Sequence, residues 1–464
     1  MIEKIKKKYI GTGAFYRRYL YLALPMIVQN AITNLVSFLD NIMVGQLGTE
    51  QMSGVAIVNQ LIFVYNLAIF GAASAASIFG AQYFGKGDHK GHMYSFRFKL
   101  YATLLVTFAT IVLFITKGSD LISLYLTDTA GNGATDVALH YGMQYITVMM
   151  VGLIPFAVNQ SYATNIKETG QTVIPMIASF VAVGTNAVLD LLLIFGIGPF
   201  PKLGVIGAAL ATVLSQACSC IWVLAFLCGK KTHLRLKGKN MVLQASIIWP
   251  SIALGTAMFI MQASESVISV CFNSSLLRYG GDMAVGAMTI LTSVMQFALL
   301  PLQGLGQGAQ PIISYNYGAK RADRVKEAYF LLLKIDVGFS FVLWALVMAF
   351  PRAFAAMFTS DAALIAYTGN ALRIYLMAIM IFGIQMACQM AFTSLGKAVS
   401  SIIVAVMRKF VLLLPLIYIM PHIFTGNQAM AVYMAEPVAD VLAVSFTSVL
   451  FYFQFRKVLR QIEE

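Results

Sequence analysis

GTEQMSGVAIVNQLIFVYNLAIFGAASAASIFGAQYFG (residues 48–85) and GDMAVGAMTILTSVMQFALLPLQGLGQGAQPIISYNYG (residues 281–318) set the architecture of this chain. Gly48 and Gly281, Ile57 and Ile290, Gly71 and Gly304, Phe84 and Tyr317, and Gly85 and Gly318 stand a constant 233 residues apart (281 − 48 = 318 − 85 = 233), close to half of 464. One half therefore reads as a copy of the other. Each stretch is apolar over the roughly 20 residues that a membrane crossing needs, so the duplicated unit is a set of spans. Duplicated membrane halves point to a transporter, because two like lobes leave a cleft that rocking can open to either side.

Composition agrees. Hydrophobic residues make up 59% of the chain and charged residues 11%, with a mean hydropathy of +0.78. A soluble chain of this size carries about a quarter charged residues, so this is an integral membrane protein. Twelve apolar segments qualify as spans: 19–44, 55–79, 100–116, 141–160, 173–197 and 205–227, then 243–276, 284–313, 328–350, 374–391, 399–420 and 429–453. Six per half is an even number, so both halves enter from the same side and the repeat is parallel. The expected fold is all-α, with twelve transmembrane helices in two parallel, pseudo-symmetric six-helix lobes. The expected divisions are an N-terminal segment (1–18), an N-lobe (19–228), an inter-lobe loop (229–242), a C-lobe (243–453) and a tail (454–464).

Lys and Arg fix the orientation. One set of loops and span ends holds the basic residues of 4–18, 86–99, 167, 230–239, 320–326, 397 and 456–460, whereas the opposite set holds Lys117, Lys202, Arg278 and Arg352. Both termini and the inter-lobe loop are thus expected in the cytoplasm. The net charge of +13 lies beside span ends across several loops, which suits anionic headgroups and not nucleic acid. The basic start, followed by an apolar stretch longer than a signal peptide's core, predicts no cleaved leader. Cys218, Cys220, Cys228, Cys271 and Cys388 have no metal-ligand spacing and read as small buried hydrophobes.

Ionisable groups at membrane depth cost on the order of 2.5–3.5 kcal/mol each, so those present ask for a use. Asp40 continues a stripe with Thr33 and Ser37, beside Asn30 and Asn34. Asn186 and Asp190, four residues apart, share a helix face and would give an all-oxygen site for a hard cation or a shared proton. Glu265 lies near the middle of the seventh span on a stripe with Gln262 and Ser269, and the repeat maps Gln29 onto Gln262. Gln296, Gln303, Gln307 and Gln310 line one face of the eighth span. Gln29, Asn30, Asn34, Gln262, Gln303 and Gln307 are the expected lining of a substrate cavity. Asp336, Glu436 and Asp440 read as structural or interfacial, and Arg408 and Lys409 as cations available to pair with an intramembrane acid. GLGQGAQ (304–310) follows an apolar helix and lacks a downstream acid, so it is no dinucleotide fingerprint; helix packing accounts for it. No H-E-x-x-H or G-x-S-x-G motif occurs, and the five histidines fall in loops or at span ends, so no enzyme is expected.

LALPMIVQNAITNLVSFLDNIMVGQLG (22–48), GAQYFGKGD (80–88), NAVLDLLLIFG (186–196), LGVIGAALAT (203–212) and QPIISYNYGAKRADRV (310–325) together resemble multidrug and toxic compound extrusion (MATE) transporters, over nearly the whole chain and in the same order. The resemblance implies a twelve-helix, two-lobed antiporter in which inward H⁺ or Na⁺ drives export of amphipathic, often cationic, drugs and toxic compounds. It implies the plasma (bacterial inner) membrane, small-molecule substrates, contact with membrane lipids, a monomer, and no cofactor beyond the coupling ion. Carried over, Asp40, Asn186, Asp190 and Thr212 match the N-lobe proton or cation site, a candidate for Na⁺, and Glu265 matches the seventh-helix acid. Pro25 matches a helix-bending proline. The chain departs from some sodium-coupled relatives in having no carboxylate at 383–389. A lipid or lipid-linked oligosaccharide flippase of related architecture is the alternative, although such proteins often carry a strongly cationic cleft and the basic residues here are mostly in loops.

Overall fold

The computed structural model describes residues 13–124, 132–229 and 244–463, and within them the side chains of all but 13–16, 18, 34–42, 45, 49, 50 and 132–135. Among the described residues there are helices and turns and no strand. The first half forms α1 (Gly13–Gly45), α2 (Thr49–Gly85), α3 (His89–Ser123), α4 (Asn132–Glu168), α5 (Val173–Phe195) and α6 (Val205–Cys228). The second forms α7 (Ala245–Gly318), α8 (Ala322–Ala349), the short α9 (Pro351–Ala356), α10 (Ala362–Tyr375), α11 (Ile379–Ser394), α12 (Ala398–Val406), α13 (Leu414–Ile423) and α14 (Gln428–Glu463). A π-helical turn, Met407–Leu413, joins α12 to α13.

Nine helices among the described residues are long and apolar enough to cross a membrane, and ten when the pair α10 and α11, bent by 52°, counts as one. α7 counts once there, yet as one straight rod its 74 residues would run about 110 Å. Gly281 (φ 62°, ψ −160°) breaks it into two arms, each long enough to cross. With α1, whose apolar part is Tyr19–Thr33, the described helices supply the twelve crossings read from the sequence.

The repeat is visible in the backbone. Gly48 and Gly281, the first matched pair, both take positive φ (145° and 62°) where one crossing turns into the next. Gly87 (φ 75°) and Lys320 (φ 55°), also 233 apart, both take the left-handed conformation ahead of a helix start. In the first half Asp88 then caps α3, accepting from the amides of Lys90 (3.1 Å) and Gly91 (2.9 Å). GKGD is therefore a turn followed by an N-cap.

The chain divides into two compact units, one made of Val28–Phe84 and Asp88–Thr256, the other of the chain up to Ile27, Gly85–Gly87 and the chain from Ala257 on. In the first unit, Val55, Val58, Ile62, Tyr65, Ile146 and Leu153 anchor one apolar cluster, and Phe96, Tyr162 and Ile166 a second. In the second, Phe272, Leu276, Leu291, Leu372 and Tyr433 anchor one cluster, and Tyr19, Leu22, Ala23, Leu305 and Phe392 another.

Lipid tails are as apolar as leucine, so close van der Waals approach decides helix pairing. Within the first unit, a Cβ on Gly255 would lie 3.0 Å from the carbonyl of Gly71. Within the second, a Cβ on Gly304 would lie 2.8 Å from the Cα of Ile27, and one on Gly308 would meet Ala23. The two lie at corresponding places, since 71 + 233 = 304 and 22 + 233 = 255, with the second falling one to five residues further along α1. Tyr19 reinforces the second copy by donating its hydroxyl to the carbonyl of Leu305 (2.9 Å). GLGQGAQ thus serves helix packing.

Candidate ion and substrate sites

α5 and α6 approach closely because a Cβ on Gly207 would strike the carbonyl of Leu193, and only glycine leaves that space open. The approach sets Asp190 of α5 and Thr212 of α6 on one small cavity, which Asn59 and Tyr145 also line and Val44, Val55 and Ala208 wall. The cavity measures about 10 Å³, room for one water-sized sphere. Asp190 is 1% exposed. Thr212 donates its hydroxyl to the carbonyl of Ala208 (3.1 Å), which leaves its acceptor lone pairs for the cavity. Asn186, one turn before Asp190, is buried, and neither atom of its amide has a hydrogen-bond partner among the described residues. Asp190 and Thr212 thus line one cavity together with Asn59 and Tyr145. The side chains of Asp40 and Asn34 lie outside the described residues.

Gln29 donates its amide to Ser179 on α5 (2.8 Å). Asn30, Gln262, Gln303 and Gln307 are half-buried.

The second unit concentrates charge around the π-helical turn. Arg408 donates from Nε to Asp440 Oδ1 (2.8 Å) and from Nη2 to Glu436 Oε1 (2.7 Å), and its guanidinium lies 4.7 Å from the ring centre of Phe382. Lys409 pairs with Glu265 Oε1 (2.6 Å) and donates to the carbonyl of Met261 (2.7 Å). Arg408 and Lys409 are buried, whereas the Glu265 side chain is 61% exposed and forms the open edge of the cluster. The two cations therefore do find intramembrane acids, and those acids are Glu265, Glu436 and Asp440.

Pro415 accounts for the turn. It has no N–H to return to the carbonyl of Val411, and its ring crowds that turn, so the backbone widens just ahead of it. The widening lets two consecutive residues, Arg408 and Lys409, both point into the protein.

One buried cluster escaped the sequence reading. Glu168, the last residue of α4, pairs with Lys99 and with His92 Nε2 (3.1 Å), and all three are buried. Gly80 makes room for it, since a Cβ there would strike the Glu168 carboxylate. Lys99, expected beside the headgroups, is fully buried inside α3 with its charge met by Glu168. The signal available was Glu168 itself, an acid directly after Lys167 at a basic span end. Among the cysteines, Cys220 and Cys388 are buried as expected, whereas Cys228 at the end of α6 is exposed. No group of three or more His, Cys, Asp or Glu among the described residues could hold a metal ion.

Comparison with known proteins gives a consistent picture. Over 422 residues the chain is 22% identical to the multidrug export protein MepA of Staphylococcus haemolyticus, covering 90% of this chain and 89% of that one. It is 25% identical over 417 residues to the FAD transporter of Shewanella oneidensis, covering 86% and 87%. A crystal structure of MATE in the bent conformation superposes with a TM-score of 0.88 over 97% of both chains at 20% identity. A transporter of the MOP superfamily from Pyrococcus furiosus, whose structure is described as having a binding pocket of reversed polarity, superposes with a TM-score of 0.83 over 96% of both chains at 21% identity. These likenesses establish the fold as that of the MATE transporters. The MatE family model matches residues 25–192 and 257–419, and the chain belongs to that family.

Proposed function

We propose that this chain exports amphipathic, often cationic, small molecules from the cytoplasm in exchange for inward H⁺ or Na⁺. The observation that carries this reading is Asp190, a carboxylate buried inside a spanning helix against a cavity whose other polar walls are Asn59, Tyr145 and Thr212. A carboxylate at that depth is costly as a bare anion and favours uptake of a proton or a cation. A cavity the size of one water admits a proton, or a cation stripped of its hydration shell, and is too small for a drug. Asp40, Asn186, Asp190 and Thr212 form the coupling site. Uptake of the ion neutralises the acids, α1 bends at Pro25, and the attraction for a cationic substrate is lost, so ion and drug occupy the lobe in turn. Glu265 is the acid that a cationic substrate must win from Lys409. The protein works as a monomer among membrane lipids, with both termini in the cytoplasm. The names of the MepA relatives support drug export as the task.

The test is dye transport in everted vesicles, where export appears as uptake into the lumen, with Na⁺ and proton gradients imposed separately. One gradient alone is expected to drive efflux, and Asp190→Asn to abolish the dependence on it while the protein still inserts. Efflux indifferent to both gradients, or gradient-driven efflux undiminished in Asp190→Asn and Asp40→Asn, sinks the assignment. The relative named for FAD transport favours one further cargo in the same assay, an anionic dinucleotide.

A further inference from the structure

We infer that the charge cluster around the π-helical turn holds one exchangeable proton, shared between Glu436 and Asp440 and distinct from the Asp40–Asp190 site. Glu265, Glu436 and Asp440 supply three carboxylates, and Arg408 and Lys409 two cations, so the cluster carries one negative charge in excess when every group is ionised. Apart from Glu265 its members are buried within spanning helices, where an uncompensated charge is costly. Among the described residues, the phenol of Tyr375 at the end of α10 also lies close to Glu436, Glu265, Arg408 and Asp440.

Geometry assigns the proton to the α14 pair. Glu436 and Asp440 are four residues apart, on one face of that helix, and both lean on the single guanidinium of Arg408. Two carboxylates that share one cation are the arrangement in which one binds a proton and the other stays ionised. Glu265 is hydrogen-bonded to Lys409 instead of Arg408 and is 61% exposed.

A second observation points the same way. Gln385 on α11 is 1% exposed, and neither atom of its amide has a hydrogen-bond partner among the described residues. Spacing puts it on the side of α11 that also bears Phe382, over which Arg408 lies, and Gln389, which donates to the sulfur of Met261. A buried donor and acceptor at that position suit a carboxyl that alternates between its protonated and ionised forms. A proton needs no cavity and leaves the five-charge cluster neutral. It enters from the bath and leaves to it, with no other bond changed.

The part this proton plays in transport rests on the ion-coupled reading above; its presence does not. The test is infrared difference spectroscopy of the purified full-length protein in detergent, in H₂O and D₂O, which reads the stretching band of a protonated carboxyl and its deuterium shift. In an Asp40→Asn/Asp190→Asn/Asp336→Asn background, which removes Asp190 and Asp336, buried in other spanning helices, and Asp40 with them, such a band is expected to remain, and Glu436→Gln and Asp440→Asn each to abolish it. Each single α14 substitution balances the cluster at two cations and two carboxylates, so both proteins should fold without the proton. Arg408→Lys, which keeps the charge but not the fork, should retain the band at a shifted frequency. A band that survives both α14 variants, is lost in only one of them, or disappears in Glu265→Gln instead overturns the assignment. If efflux proves indifferent to ion gradients while the band behaves as expected, the proton stands and the antiport reading falls.

Discussion

At the scale of single residues, the molecule keeps its intramembrane charges by pairing them, and the pairing is asymmetric in its consequences. Lys99 and Glu168 are both buried, and truncating one leaves the other uncompensated at a cost of about 3–5 kcal/mol. Lys99→Met should therefore lower the thermal unfolding midpoint sharply in detergent. Lys99→Met with Glu168→Gln should recover much of the loss, because two neutral side chains need no compensation. A double variant no more stable than the single one would mean that His92, not Lys99, is the partner that matters. At Asp190 the expectation is functional instead. Thr212→Val, which removes an acceptor from the cavity wall and leaves the carboxylate, should weaken ion-driven efflux at low ion concentration and spare its maximal rate. An unchanged dependence on ion concentration would remove Thr212 from the site.

At the scale of elements, the helices were legible because a membrane span announces itself by length and apolarity, and the two-fold repeat by glycines at a fixed offset. The interruptions were less so. The bend between α10 and α11 falls at Leu376–Met377–Ala378, with neither Gly nor Pro to mark it. The π-helical turn had a readable cause in Pro415, but proline predicts a disturbed helix without saying which side chains the disturbance turns inward. For the candidate site, Asp190 and Asn186 were legible as acid and amide on one face, whereas Asn59 and Tyr145 come from other helices and needed the packing. Lys320 gives the element scale its own prediction. It adopts φ 55° where the first half has Gly87, and a side chain in that conformation costs roughly 1–2 kcal/mol. Lys320→Gly should stabilise the protein by about 1 kcal/mol after the entropic cost of glycine. Gly87→Ala, with nothing within 4 Å of the new Cβ, should destabilise it through backbone strain alone. Equal unfolding midpoints for wild type and both variants would show that the repeat does not impose this turn.

At the scale of the whole molecule, the basic residues set one expectation that neither the fold nor the family supplies, the direction in which the chain sits. Positive charge on one set of span ends predicts that set to be cytoplasmic, because basic flanks resist translocation. Exporters and importers can share a fold, so the direction of coupling depends on this orientation as much as on any acid. Two exposed positions read it directly. Cys228 ends α6 beside the basic inter-lobe loop, and Lys202 lies between α5 and α6 on the sparsely charged side. In a variant whose other four cysteines are replaced by alanine, a membrane-impermeant maleimide should label Cys228 in everted vesicles and not in intact cells. With Cys228 also replaced, Lys202→Cys should show the reverse. Labelling of Cys228 from outside intact cells would invert the topology, and with it the direction of transport proposed above.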